Sequence, residues 1–193
     1  LFYMNESKFI MEKILEFVGE YKPLEAVTEN SRFLSTILFN DIVNSTQLQF
    51  EVGDSQWKEK ILEFNKLCKE QIASCDGSFV KSMGDVILAT FDGPSRAIKC
   101  ACRINEGVRS LGLVVRSGLH VGEIEKIEGD ISGINVNAAA RIQAVAKGGQ
   151  VLVSEVLKSL VFGSGIEFGD SGSYRFKGFD TKWKLFQVNM GKV

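Results

Sequence analysis

Phe79-Val-Lys-Ser-Met-Gly-Asp-Val-Ile-Leu-Ala-Thr-Phe91 contains two apolar runs, Phe79-Val80 and Val86 to Phe91, joined by a short turn. Runs bounded by a Gly-containing turn predict a β-hairpin. Lys81 and Asp85 stand at that turn, four residues apart, with Gly84 directly before the acid. Such a tip can hold a carboxylate rigidly while the glycine lets backbone or phosphate approach. Alone, a hairpin Asp is an ordinary turn residue, because its side chain satisfies local backbone groups. Its meaning depends on whether the fold brings a second acid to it.

Asp41 is that second acid. The compact apolar run Phe33 to Phe39 predicts a first strand, which emerges into Asn40-Asp41-Ile42-Val43-Asn44-Ser45-Thr46. Ser45 and Thr46 are typical of a helix N-terminus, where free N–H groups can meet anions. From there to about Ser74 apolar residues recur at helical period (Trp57, Ile61, Leu62, Phe64, Leu67, Cys68, Ile72), with Trp57 read as packing. Cys75-Asp76-Gly77 ends that helix and the hairpin follows. Ser95, after the turn Asp92-Gly93-Pro94, is expected to cap a helix over about 95–110. Leu113 to Val121 is the next strand, with Arg116 inside it and His120 flanked by Gly118 and Gly122. The order is βαββαβ, an α+β ferredoxin-like core.

That order has a geometric consequence. The first crossover makes strands one and two parallel, so strand three runs antiparallel to strand one. If those two lie side by side, Asp41 and Asp85 become neighbours at one edge of the central sheet. Paired carboxylates repel unless a cation lies between them. Hard oxygen ligands suit a pair of divalent ions, Mg²⁺ or Mn²⁺.

Beyond the core come Gly129-Asp130-Ile131-Ser132-Gly133 and an alanine-rich helix with Asn137 and Arg141 one turn apart on one face. An amide beside a guanidinium can clamp a phosphate. Read alone, the pair is more commonly an ordinary capping Asn and a solvated Arg. Gln150 to Val153, a helix near 154–161 and strands near 173–177 and 183–188 form a C-terminal αβ extension. Lys177-Gly178 falls within it, where a lysine is ordinarily just solvated.

With 193 residues, 45% apolar and 24% charged, the chain is expected to be an ordinary globular protein with one main domain. A net charge of −1 lacks the basic footprint of a nucleic-acid binder. Residues 9–18, FIMEKILEFV, have helical spacing, and Pro23 follows, so residues 1–30 are read as an N-terminal helix and linker. No run is long and apolar enough for a membrane span, and no signal peptide is evident. The chain begins with Leu, which leaves room for an upstream sensor or membrane segment. Four cysteines without a CxxC pair and a single His argue against zinc. Free thiols fit a reducing compartment, so the expected location is cytoplasmic.

Four motifs then stand in order: FNDIVNST, VKSMGD, VRSGLHVGE and GDISGINVNAAARI. Together they closely resemble the class III nucleotidyl cyclase catalytic domain, the adenylate and guanylate cyclase family, over about Ser35 to Val188. The resemblance implies that residues 31–193 are a catalytic domain with the class III nucleotidyl cyclase fold. It implies that Asp41 and Asp85, with the backbone carbonyl of Ile42, bind two divalent ions. Lys81 and Asp130 would read the adenine edge, one as donor and the other as acceptor. Asn137 would orient the ribose, Arg141 would stabilise the transition state, and Lys177 would hold the terminal phosphates. His120, in the family's RxGxH strand motif, is read as structural.

The implied activity is conversion of ATP to cyclic AMP and pyrophosphate, in sites shared between the chains of a homodimer. The alternatives are a guanylate or mixed-specificity cyclase and a cyclase-like domain that binds nucleotide without turnover. An RNA-binding ferredoxin-like module would need a basic surface and stacking aromatics that this chain lacks. Asn40, Asn44 and Val86 depart from the commoner family residues, and none of these changes removes a ligand.

Overall fold

The structure is a computed structural model and describes residues 32–127 and 129–192. The helix expected within residues 1–30 lies outside them. β1 (Arg32–Ile42) is buried continuously from Ser35 to Ile42, because it is paired on both edges and covered on both faces. Its neighbours are β3 (Val86–Phe91) and β4 (Val115–Ile127), both antiparallel to it. β2 (Ser78–Met83) pairs with β3 and forms one edge of the sheet. The spatial order β2-β3-β1-β4 is the ferredoxin-like arrangement that the element order predicts.

Alternation along the strands separates two cores. Leu38, Ile42, Ile87, Ala89 and Phe91 belong to a large cluster with α2 (Asp54–Ser74) and α3 (Pro94–Gly107). Ile37, Phe39 and Leu88 point the other way and pack with Val136 and Ala139 of α4 (Ile134–Val145). Asp41, an odd-numbered residue of β1, therefore projects on the same side as α4. Full burial of each large aliphatic side chain stabilises the fold by roughly 1.5–3 kcal/mol.

Several boundaries differ from the sequence reading, each for a local reason. β1 runs through Asp41 to Ile42, so the acid lies on the strand rather than beyond it. The expected single helix up to Ser74 is two, α1 (Ser45–Val52) and α2, broken at Gly53 with φ 79°. Asn44 precedes α1 with φ 57°, a left-handed conformation that Asn tolerates better than most residues. Ser95 does not cap α3. Pro94 opens that helix, where its missing N–H costs nothing, and Gly93 is the cap position. The helix stops at Gly107 and a 3₁₀ turn covers Val108–Leu111. β4 begins at Val115 and runs on to Ile127, where a short β5 (Asp130–Ser132) that the sequence reading lacked pairs with it.

The C-terminal extension is more than an appendage, because it continues the central sheet. β6 (Val151–Ser154) lies parallel to β4, β8 (Lys182–Val188) pairs with β6, and β7 (Phe168–Arg175) forms the far edge. Ser154 caps the short α5 (Glu155–Leu160) by accepting from the Leu157 N–H. Among the described residues no helix is long and apolar enough to cross a membrane.

Candidate active site

Gly84 and Asp85 are the two residues between Met83 and Val86, which pair across the hairpin. Gly84 has φ 73° and Asp85 is not left-handed, the pattern of a tight hairpin turn with glycine first. Register Asp41↔Val86 brings this tip to the end of β1, and the Asp85 carbonyl accepts the Ile42 N–H at 3.2 Å. Asp41 and Asp85 thus line one open cleft of about 400 Å³, together with Ile42, Asn44, Ser45, Thr46, Gln47 and Arg116. The neighbourhood expected from strand order is present.

The two carboxylates have different surroundings. Asp41 is 6% exposed, and among the described residues its side-chain partners all meet Oδ2. Arg116 donates to it from Nε at 2.8 Å and pairs through Nη2 at 2.7 Å. Gln143 Nε2 donates at 2.8 Å. Asp41 Oδ1 and the Asp85 carboxylate accept no hydrogen bond from the described residues. Two acids facing one guanidinium leave the cleft with net negative charge and unused oxygen donors. That donor set fits a hard divalent cation, with the Ile42 carbonyl alongside. Among the described residues, no three acidic, His or Cys side chains converge on a metal position.

A second polar cluster forms elsewhere. Alternation sends Phe79 to the large core and Val80 to the smaller one, and a β-bulge between Phe79 and Lys81 then sets Lys81 opposite Leu88, on the face of the smaller core. Lys81 Nζ then donates to Asp130 Oδ2, and the Ile131 N–H donates to Asp130 Oδ1 at 2.8 Å. The Lys81 hydrogen bond, followed by the Ile131 N–H, holds the Asp130 carboxyl below its usual range. A donor and an acceptor are thereby fixed side by side, both still open to solvent.

Asn137 and Arg141 lie exposed on the outer face of α4, opposite its buried residues Val136, Ala139, Ile142 and Gln143. Lys177 is exposed in the turn after β7. That turn is anchored by Phe176, which clusters with Ile142 of α4 and packs edge-on to Phe179 and tilted against Trp183. Neither this group nor the Lys81/Asp130 pair lines the cleft at Asp41 and Asp85. Of the expected residues, the structure thus brings Asp41, Ile42 and Asp85 to one cleft and pairs Lys81 with Asp130.

Two residues at the site carried no role in the sequence reading, Arg116 and Gln143. Arg116 faces Asp41 across the β1–β4 pairing. Gln143 was detectable as a polar residue on the apolar face of its helix. Glycines seat that helix: a Cβ on Gly118 would lie 2.1 Å from the Gln143 backbone nitrogen, and one on Gly122 would lie 2.3 Å from the Asn135 side chain. His120 is structural, as expected. Asn135 Nδ2 donates to the Glu123 carbonyl, so its Oδ1 faces His120 Nε2 at 3.1 Å. Nε2 therefore carries the proton, and Nδ1 accepts from the Ser154 hydroxyl at 2.8 Å. Burial pulls the imidazole below its usual range, partly opposed by the Asn135 hydrogen bond.

Residues 29–190 match the family model described as the adenylate and guanylate cyclase catalytic domain. The putative adenylate cyclase 3 of Rhizobium meliloti is 27% identical over 158 residues, covering 77% of this chain and 27% of that protein. The first matched curated relatives are likewise longer, and the chain spans 40% of their length. The adenylyl cyclase CyaB from P. aeruginosa superposes with a TM-score of 0.77 at 21% identity, over 83% of this chain and 95% of that one. The guanylate cyclase domain of RhGC from Catenaria anguillulae, solved with GTP, superposes at 0.75 and 20% identity, over 82% and 98%. At these identities the two structures establish the shared fold. With the family match spanning most of the sequence, the chain belongs to the class III adenylate and guanylate cyclase catalytic domain family.

Proposed function

We propose that this domain is an adenylate cyclase whose sites form between two copies of the chain. One observation carries the reading. The cleft holding Asp41 and Asp85 lacks all of Lys81, Asp130, Asn137, Arg141 and Lys177. On this reading each chain contributes two complementary half-sites, and a twofold dimer can set each opposite its complement.

The reaction is attack of the ribose 3′-oxygen on the α-phosphorus of ATP, forming the cyclic phosphodiester as the bond to pyrophosphate breaks and the hydroxyl proton leaves to solvent. Asp41, Asp85 and the Ile42 carbonyl would hold divalent ions, Mg²⁺ or Mn²⁺. The chemistry those ions supply is acidification of the hydroxyl and charge neutralisation on the triphosphate. Asn137 orients the ribose and Arg141 meets the charge that develops at the α-phosphate. Lys177 holds the terminal phosphates. Lys81 donates to the adenine ring nitrogen and Asp130 accepts from the exocyclic amine, which favours ATP over GTP. A cytoplasmic location belongs to the same reading, since ATP and reduced thiols are both found there.

The test is cyclic nucleotide formed by purified chain with Mn²⁺ and either ATP or GTP, across a protein dilution series. Cyclic AMP with specific activity falling on dilution is the expected result. Turnover of GTP in preference to ATP would overturn the base assignment, and no product at any concentration would point to a missing regulatory region or to a binding-only domain. For the shared site, Asp41→Asn and Arg141→Ala chains, each inactive alone, should on mixing recover about a quarter of wild-type activity if dimers exchange freely. No recovery would refute the interfacial site.

A further inference from the structure

We propose that Gln143 is a positioning residue for Asp41, holding the carboxylate so that Oδ1 is the oxygen presented to a divalent ion. The inference rests on the two-carboxylate metal reading given above. Its basis is the asymmetry of the Asp41 carboxylate. Arg116 Nε and Nη2 and the Gln143 amide converge on Oδ2 at 2.7–2.8 Å, and Oδ1 is left without a partner among the described residues. A carboxylate free to rotate would present either oxygen, or both.

Gln143 is suited to this work and to little else. It is 7% exposed on the inner face of α4, and its amide nitrogen is directed at Asp41. Its backbone is pressed onto β4 at Gly118, where a Cβ would lie 2.5 Å from its Cα. That close seat lets a side chain of glutamine's length reach across to β1. Neutral Gln adds a donor without adding charge, so it orients the acid and leaves its anionic character for a cation. Arg116 does both, because its guanidinium orients Oδ2 and offsets part of the charge. Gln143 also lies two residues after Arg141 on the same helix. The bond to Asp41 therefore ties the helix that supplies Arg141 to one site to the strand that supplies the metal acid of the other.

The experiment titrates Mn²⁺ into the purified chain with 3′-deoxy ATP, which lacks the attacking hydroxyl, and reads free Mn²⁺ by electron paramagnetic resonance. Gln143→Met keeps chain length and helix preference while removing the donor. It is expected to weaken Mn²⁺ binding by about 10–100-fold, the usual effect of deleting an outer hydrogen bond to a metal ligand. The number of sites per folded chain should stay as in the wild type. Gln143→Ala gives the same readout should the Met variant be insoluble. Asp41→Asn should lose this site. Wild-type affinity in both Gln143 variants, with the ion lost in Asp41→Asn, would overturn the positioning role. Fewer sites at unchanged affinity would overturn it too, since that outcome marks a structural role only. Unchanged binding in Asp41→Asn would remove the metal reading itself, and the inference with it.

Discussion

Gly118→Ala tests how α4 is seated. The added Cβ would fall 2.1 Å from the backbone nitrogen of Gln143 and 2.5 Å from its Cα, whereas ordinary contact begins at 3.4 Å. The obstruction is helix backbone, so no rotamer change relieves it. The helix must retreat by about 1.3 Å, the shortfall to ordinary contact, or β4 must bend by as much. A retreat along the Gln143–Asp41 bond would stretch its 2.8 Å to about 4 Å, beyond hydrogen-bonding range. Overpacking against backbone in a full core costs roughly 3 kcal/mol, the upper end for such insertions. For a domain of this size that lowers the melting midpoint by on the order of 10 °C. Arg141 and Asn137 would move with the helix. A misplacement of about 1 Å at a reacting centre can cost on the order of 100-fold in rate. Thermal unfolding by circular dichroism and cyclic AMP formation below the transition measure the two effects separately. A variant melting within about a degree of wild type at full activity would refute both the close seat and the helix's role.

Three further outcomes follow from other groups. Lys81→Glu combined with Asp130→Cys should shift turnover from ATP toward GTP, since it replaces the donor with an acceptor and removes the carboxylate. A nucleotide preference left unchanged in a folded protein would remove these two residues from base recognition. His120 stays neutral in the folded chain at pH values where the unfolded chain binds a proton, because burial lowers its pKa. Stability from this group is therefore complete above about pH 6.5 and falls as pH drops below it, down to the folded pKa. Melting midpoints compared between wild type and His120→Gln should converge as pH falls from 7.5 to 5.5, and parallel curves would refute the burial argument. Burial pushes the Cys68 and Cys102 thiols up to about 12, and Cys100 is raised as well. These thiols should resist alkylation at pH 8 until the chain unfolds, and rapid labelling of Cys68 in the native protein would contradict its burial.

The strand, helix and hairpin signals along residues 33–121 were legible because periodicity and turn chemistry are local properties. They carried the βαββαβ order, and that order carried the approach of Asp41 to Asp85. Local signals located element ends less well. Pro94 rather than Ser95 opens α3, Gly53 divides the first helical stretch, and β5 is three residues long. Such details depend on a single dihedral angle or on a pairing partner, and composition does not encode either one.

Sequence alone determined the type and order of the chemical groups: two acids at strand ends, a lysine beside a hairpin, and an amide and a guanidinium one turn apart on a helix. Tertiary structure decided which of them meet. Arg116 and Gln143 converge on Asp41 from 75 and 102 residues away. Only the β1–β4 register and the close seat of α4 at Gly118 and Gly122 bring them there. Register is a sum over a whole sheet and helix seating is a matter of missing side-chain volume, so neither leaves a periodic mark in the chain. The cleft that gathers Asp41, Asp85 and Arg116 is likewise a product of long-range pairing, and Asn137, Arg141 and Lys177 are not among its lining residues.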